Sequence, residues 1–184
     1  MNLRAAPEWQ TTQWFNTPEP LSLAKLRGRV VLLEAFQMLC PGCVARALPQ
    51  AKRVAELFAD APLNVIGLHT VFEHHDAMGP ESLKAFLHEY KITFPVGIDR
   101  PSPGDEPTPC TMKAYAMQGT PTTILIDAQG RLRRQMFGSH EDLLLGAEIA
   151  TLLNERDSVA SVASAAKPGA SRESACDDQG CPIG

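Results

Sequence analysis

A buried strand leads directly into two closely spaced cysteines and a helix, and this order leaves few folds open to the chain. Residues 29–36 form an almost continuous apolar run that Glu34 interrupts, which is typical of a strand buried on both faces of a sheet. Cys40 and Cys43 follow, separated by a Pro-Gly dipeptide. Apolar residues then recur at helical spacing, at Val44, Ala47, Leu48, Ala51, Val54, Ala55, Leu57 and Phe58. The pattern predicts that the cysteine pair opens a helix, in which Pro49 introduces a kink.

Strands and helices alternate along the rest of the chain. Apolar runs predict strands over residues 64–68, 94–98, 122–127 and 132–137, and helical patterns predict helices over 81–90 and 111–118. Ser139 is expected to cap a last helix with an apolar face that contains Leu143, Leu144, Ala147 and Ile149. This alternation favours an α/β fold with a parallel core, whereas the tight turn between the last two strands indicates an antiparallel hairpin.

The chain is long enough for one soluble domain with a sizeable core, since 44% of its 184 residues are hydrophobic. We assign residues 1–155 to this domain and expect the Ala- and Ser-rich residues 156–184 to form a flexible tail. The formal charge of -4 argues against a nucleic-acid partner. No apolar run approaches the length that spans a bilayer, and the first residues lack an export signal. We therefore expect a cytoplasmic protein without a membrane partner.

The cysteines are odd in number and sparse, which does not fit a secreted disulfide framework. At the start of a helix, unpaired backbone N–H groups and the helix dipole favour the thiolate form of Cys40, which is the candidate nucleophile. Cys43 lies one turn later, where it can attack a mixed disulfide and release the partner. A zinc site is the alternative reading. The chain offers no second Cys-x-x-Cys and no paired-histidine spacing, so we expect neither a metal nor another cofactor.

From about Trp14 to Leu153 the sequence resembles the thioredoxin-like superfamily, and within it the TlpA/ResA-like thiol–disulfide oxidoreductases and the wider redoxin group. The resemblance rests on residues 26–33 before the cysteine pair and on Gly-Thr-Pro-Thr at 119–122 before an apolar run. It implies a central mixed β-sheet flanked by helices, with an inserted strand and helix. It also implies exchange with protein or small-molecule disulfides, and an external dithiol as electron donor or acceptor.

The same resemblance gives roles to individual residues. Pro121 is expected to be cis and to lie against the cysteine pair, so that the Thr120 backbone can pair with an extended substrate segment. Glu34 stands where thioredoxin has a buried acid that exchanges protons with the second cysteine, and its apolar neighbours should raise its pKa. Pairing of Glu34 with a Lys or Arg is the competing interpretation. Leu39 replaces the common Trp at the rim of the site, and the Pro-Gly dipeptide leaves the direction of electron flow open.

Two other functions are weighed against this one. A peroxiredoxin-like peroxidase needs a Pro-x-x-x-Thr-x-x-Cys sequence, which does not precede Cys40. A Sco-like copper-binding module would use both cysteines and a histidine, but that family spaces its cysteines by three residues and this chain by two.

Six further residues carry redox or metal-binding chemistry. Cys176 and Cys181 are either a redox relay, tethered by a linker of about 20 residues, or two idle thiols. The histidines after the second predicted strand, His69, His74 and His75, are expected to be solvated. Cys110 follows a proline-rich loop and has no assigned role.

Overall fold

The computed structural model describes residues 3–104 and 106–165. Six strands form one sheet: β1 (Thr11–Phe15), β2 (Val30–Phe36), β3 (Leu63–His69), β4 (Val96–Asp99), β5 (Thr122–Ile126) and β6 (Leu132–Phe137). The helices are α1 (Leu48–Leu57), α2 (Pro80–Glu89), α3 (Cys110–Ala114) and α4 (Asp142–Ala165), and a π-helical turn over Cys43–Ala47 precedes α1. The predicted α/β class and mixed sheet are confirmed.

The strand order β1-β4-β3-β2-β5-β6 decides where the cysteine pair lies. β2 runs parallel to β3, and β3 runs parallel to β4, so the carboxyl ends of all three strands meet at one edge of the sheet. β5 is antiparallel to β2, which brings its first residue, Thr122, to that same edge. The segment after β2 and the segment before β5 therefore converge there.

Alternate residues of β2 pack into two separate cores. Val30, Leu32 and Phe36 face the core that contains Cys43 and the buried side of α4. Val31, Leu33 and Ala35 face the other core, where Trp9 and Tyr115 lie. All seven residues of β2 are buried, which confirms the prediction of a strand covered on both faces.

The helix after the cysteines is irregular at a different place from the kink predicted at Pro49. Pro49 lies in the first turn of α1, where its missing N–H costs little. The irregularity comes earlier, in the π-helical turn Cys43–Ala47. A wider turn relieves the clash between the proline ring and the carbonyl group one turn before it. The irregular π-helical turn therefore begins at Cys43.

The last helix begins later and ends later than expected. Ser139 does not cap it; α4 begins at Asp142, whose carboxylate accepts hydrogen bonds from Gln50 (2.7 Å) and Arg53 (3.0 Å). The buried face consists of Leu145, Ile149 and Leu152, whereas Leu143 is 90% exposed. The predicted apolar face was therefore wrong in its leucines.

α4 also continues to Ala165, ten residues past the predicted end of the domain at residue 155. The rest of the predicted tail, with Cys176 and Cys181, lies outside the described residues. Within residues 3–104 and 106–165, no helix has the length and hydropathy needed to cross a membrane.

Candidate active site

The two cysteines of the pair occupy different environments. Cys40 is partly exposed at the start of the helix, and Cys43 is completely buried. The Cys43 backbone N–H donates a hydrogen bond to the Cys40 Sγ at 3.3 Å, and Cys40 Sγ lies 3.5 Å from the Thr120 carbonyl oxygen. Both thiols are free. The exposed sulfur can meet a substrate, while the buried one can be reached only from within the pair.

The buried thiol is held in its protonated form. Burial, followed by the hydrogen bond with Cys40, raises the pKa of Cys43 to about 12. Hydrogen bonds from the Gln37 backbone and the Thr120 side chain act in the opposite direction and favour the thiolate. Cys43 therefore needs a proton acceptor before it can act as a nucleophile.

Pro121 packs against the residues between the cysteines. The Thr120–Pro121 peptide bond is cis. A Cβ atom placed on Gly42 would lie 3.4 Å from the Pro121 Cδ, which is ordinary van der Waals contact. The segment before β5 is thus in direct contact with the start of the helix.

A groove of about 340 Å³ opens beside Cys40. One wall carries Thr120, and the opposite wall is formed by Phe72, Glu73 and His74 from the connection between β3 and α2. Leu39 also lines the groove and is 54% exposed. Neither Lys nor Arg is among the described residues that line it. The groove offers an apolar rim, a backbone edge and one carboxylate beside the exposed sulfur.

Glu34 is a buried acid on the same face of β2 as Phe36, and this face packs against the core that contains Cys43. Its burial raises the pKa to about 8, although a hydrogen bond from the Thr123 hydroxyl at 2.7 Å acts in the opposite direction. The other carboxylate oxygen has no hydrogen-bond partner within the part of the chain that the structure describes. No Lys or Arg in the described part of the chain forms an ion pair with Glu34, so the competing interpretation finds no support there.

Gln37 is a member of the site that sequence reasoning missed. It is 1% exposed, and its carbonyl oxygen accepts the Cys40 N–H at 3.1 Å. Its side-chain amide lies between Thr120 and Glu73, at 3.5 Å and 3.4 Å. In the sequence a glutamine after a strand is indistinguishable from an ordinary loop residue, and no local signal identifies it.

The structure separates the three histidines. His69 is the last residue of β3 and is completely buried, contrary to the expectation that it is solvated. Its ring packs against Phe36, with centroids 5.3 Å apart, and neither ring nitrogen has a hydrogen-bond partner among the described residues. Burial lowers the pKa of His69 to about 4. His74 and His75 are exposed, and His74 lines the groove.

The remaining candidates stand apart from the pair. Cys110 begins α3, where its Sγ lies 3.6 Å from the Pro101 carbonyl oxygen. No group of three or more His, Cys, Asp or Glu side chains within the described ranges is arranged to hold a metal ion. The exposed Cys40, the buried Cys43 and the groove are the chemical features that converge at this edge.

Comparisons with known proteins agree with this arrangement. The family model described as Redoxin matches residues 4–142. A solved thioredoxin-like superfamily protein is 59% identical with a TM-score of 0.79, and the match covers 82% of this chain and 96% of that one. The solved structure of a thiol-disulfide isomerase from Corynebacterium glutamicum is 47% identical with a TM-score of 0.76. This match covers 80% of this chain and 96% of that one.

Curated relatives are more distant or much longer. Protein DipZ of Mycobacterium bovis is 30% identical over 78% of this chain, which spans only 20% of the length of DipZ. Thiol-disulfide oxidoreductase ResA of Halalkalibacterium halodurans is 26% identical over 62% of this chain and 57% of its own length. The chain belongs to the Redoxin family, and its fold is thioredoxin-like.

Proposed function

We propose that the protein is a thiol–disulfide oxidoreductase that exchanges its Cys40–Cys43 dithiol with protein or small-molecule disulfides through a mixed disulfide. The observation that carries the proposal is the asymmetry of the pair. A partly exposed sulfur receives the backbone N–H of a buried partner cysteine 3.3 Å away. This arrangement supports attack by Cys40 and resolution by Cys43. Two relatives, the thiol-disulfide isomerase of Corynebacterium glutamicum and the thiol-disulfide oxidoreductase ResA, are named for the same class of reaction and support this proposal.

In the first step the Cys40 thiolate attacks one sulfur of a substrate disulfide. A bond forms between that sulfur and Cys40, the substrate disulfide breaks, and the other substrate sulfur leaves as a thiolate that takes up a proton. In the second step Cys43 attacks the Cys40 sulfur and releases the substrate as a dithiol. Two electrons pass to the substrate, and the protein retains a Cys40–Cys43 disulfide. An external dithiol then reduces it, or the cycle runs in reverse with an external acceptor.

Formation of the mixed disulfide itself prepares Cys43 for the second step. Burial and the hydrogen bond and negative charge of Cys40 raise the pKa of Cys43 in the free dithiol. Once the Cys40 sulfur is bonded to substrate, it carries no negative charge and is a weaker acceptor for the Cys43 thiol, while Gln37 and Thr120 still favour the Cys43 thiolate. The pKa of Cys43 therefore falls when its thiolate is needed. Glu34 accepts the proton, since its own raised pKa of about 8 suits exchange near neutral pH.

Thr120 and Pro121 are proposed to hold the substrate. The Thr120 carbonyl lies 3.5 Å from the Cys40 sulfur and borders the groove, so an extended segment paired with this backbone would place its disulfide beside the nucleophile. The rim residue Leu39 is exposed enough to contact the same segment. A cytoplasmic location remains part of the proposal.

The proposal is tested with single-cysteine variants and an insulin-reduction assay. Cys40→Ser should abolish turnover, and Cys43→Ser should accumulate a mixed disulfide through Cys40, detected by mass spectrometry. Cys110→Ser is the matched control, since Cys110 contacts Pro101 and Ser102 rather than the pair. Activity that survives Cys40→Ser would refute the proposal.

A further inference from the structure

The groove beside Cys40 has two walls from distant parts of the chain, and one buried amide lies between them. Gln37 Nε2 lies 3.5 Å from the Thr120 hydroxyl on one wall and 3.4 Å from a Glu73 carboxylate oxygen on the other. Gln37 Oε1 accepts the Phe72 backbone N–H at 3.5 Å. We propose that Gln37 is a positioning residue that fixes the separation of the two walls and so sets the affinity for a protein disulfide.

The second wall has little else to hold it by polar contacts. Among the described residues, segment 71–78 makes two hydrogen bonds to the rest of the chain, both with Gln37: the Phe72 N–H donates to Gln37 Oε1, and Gln37 Nε2 donates to the Glu73 carboxylate. The segment's other hydrogen bonds are internal, from Ala77 to His74 and from Met78 to His75. Met78 is buried and anchors the far end of the segment. Val71 and Phe72 pack against the two cores, so the backbone of the segment stays attached, and loss of the Gln37 contacts would remove the polar contacts that position Glu73 beside the groove.

An amide side chain at position 37 suits all three of these contacts. A glutamine donates to the Thr120 and Glu73 oxygens and accepts from a backbone N–H at the same time. Its three contacts, at 3.4 to 3.5 Å, are longer than typical hydrogen bonds, so Gln37 positions the two walls through three weak contacts together. Gln37 does not line the groove, so it acts through the residues that do.

The inference rests on the proposed function and predicts a separation of kinetic parameters. Gln37→Glu places a carboxylate against Glu73, and mutual repulsion should push the walls apart. We expect KM for a protein disulfide such as insulin to rise about tenfold with kcat nearly unchanged, because the reacting sulfurs are not altered. Reaction with a small aromatic disulfide, which needs only Cys40, is compared in Gln37→Leu, because this variant adds no charge near the Cys40 sulfur, and it should stay within about twofold of wild type.

The decisive variant is the exchange Gln37→Glu with Glu73→Gln, which restores one donor and one acceptor across the same contact. It should return KM to within about twofold of wild type. Gln50→Glu is the matched control, because Gln50 is also buried and also faces a carboxylate, Asp142, but lies outside the groove. Its KM should not change. If Gln37→Glu does not fold, Gln37→Leu removes the same contacts at similar volume, and KM should still rise.

An unchanged KM in every Gln37 variant, or a double variant no better than Gln37→Glu, would overturn the inference while wild-type activity leaves the proposed function intact. A wild-type protein that reduces neither insulin nor the small disulfide would instead contradict the proposed function itself.

Discussion

Glu34 makes the stability of this fold fall as pH rises, the reverse of the usual behaviour of a carboxylate. The buried carboxyl has a pKa of about 8 in the folded protein, against 4.5 when exposed, because burial penalises its charged form. Between these values the folded state keeps a proton that the unfolded chain has released. The stability present below about pH 4.5 is therefore lost progressively up to about pH 8.

The expected size follows from the two pKa values. Each pKa unit is worth about 1.4 kcal/mol, so full ionisation of Glu34 costs on the order of 5 kcal/mol of folding free energy. Between about pH 5 and pH 8 the wild type should lose about 3 kcal/mol more than a variant that cannot ionise there. Glu34→Gln is that variant, since its side-chain oxygen can still accept the Thr123 hydroxyl proton. Glu34→Gln should be the more stable protein at pH 8.

The assay is urea unfolding at several pH values, with reductant present to keep both cysteines as thiols. The difference between the two proteins is plotted against pH, so that groups common to both cancel. Glu56→Gln provides a control in which an exposed glutamate is replaced, and its difference plot should be flat. Thr123→Val removes the hydrogen bond that favours the carboxylate and should steepen the pH dependence. A flat plot for Glu34→Gln would refute the reasoning.

His69 and Gly67 give two further predictions. The pKa of His69 is lowered from 6.5 to about 4, so the unfolded chain takes up a proton first as the solution is acidified. Wild type should lose about 2–3 kcal/mol more than His69→Phe between about pH 7 and pH 4.5 in the same urea assay; equal losses would contradict this. A Cβ on Gly67 would lie 3.0 to 3.2 Å from Val96, Phe36 and Phe94. Gly67→Ala should therefore cost about 2 kcal/mol by thermal unfolding, and Gly79→Ala, where space is open, much less.

The sequence predicted those parts of the fold whose pattern is set by burial. The apolar run of β2 predicts a strand and the helical spacing after Cys43 predicts a helix, and the structure contains both. β1 was not predicted, because Thr11–Phe15 is an edge strand with a polar start and little apolar pattern. It forms because it pairs with the free edge of β4, which is information from distant residues.

The predictions of the buried face of α4 and of the exposure of His69 were wrong for a related reason. Three consecutive leucines at 143–145 cover most of a helix circumference, so periodicity alone cannot choose which of them is buried. Packing against β2 buries Leu145 and leaves Leu143 exposed. His69 looked like a loop residue, but β3 extends one residue further than predicted, opposite Phe36. In each case tertiary contacts decided what local sequence left open.

The length of α4 changes the argument for a redox relay within one chain. Arg156 Nε donates to the Gly28 carbonyl oxygen at 2.7 Å, so α4 has by then reached the end of β2 opposite Cys40, about 25 Å away along the strand. The helix continues about 13 Å beyond Arg156 to Ala165. The chain from Ala165 to Cys176 spans at most about 40 Å when fully extended. This length is about equal to the distance from the end of α4 back to Cys40. Cys181, with about 55 Å of chain, covers that distance without full extension, so a relay within one molecule would reach Cys40 more readily through Cys181.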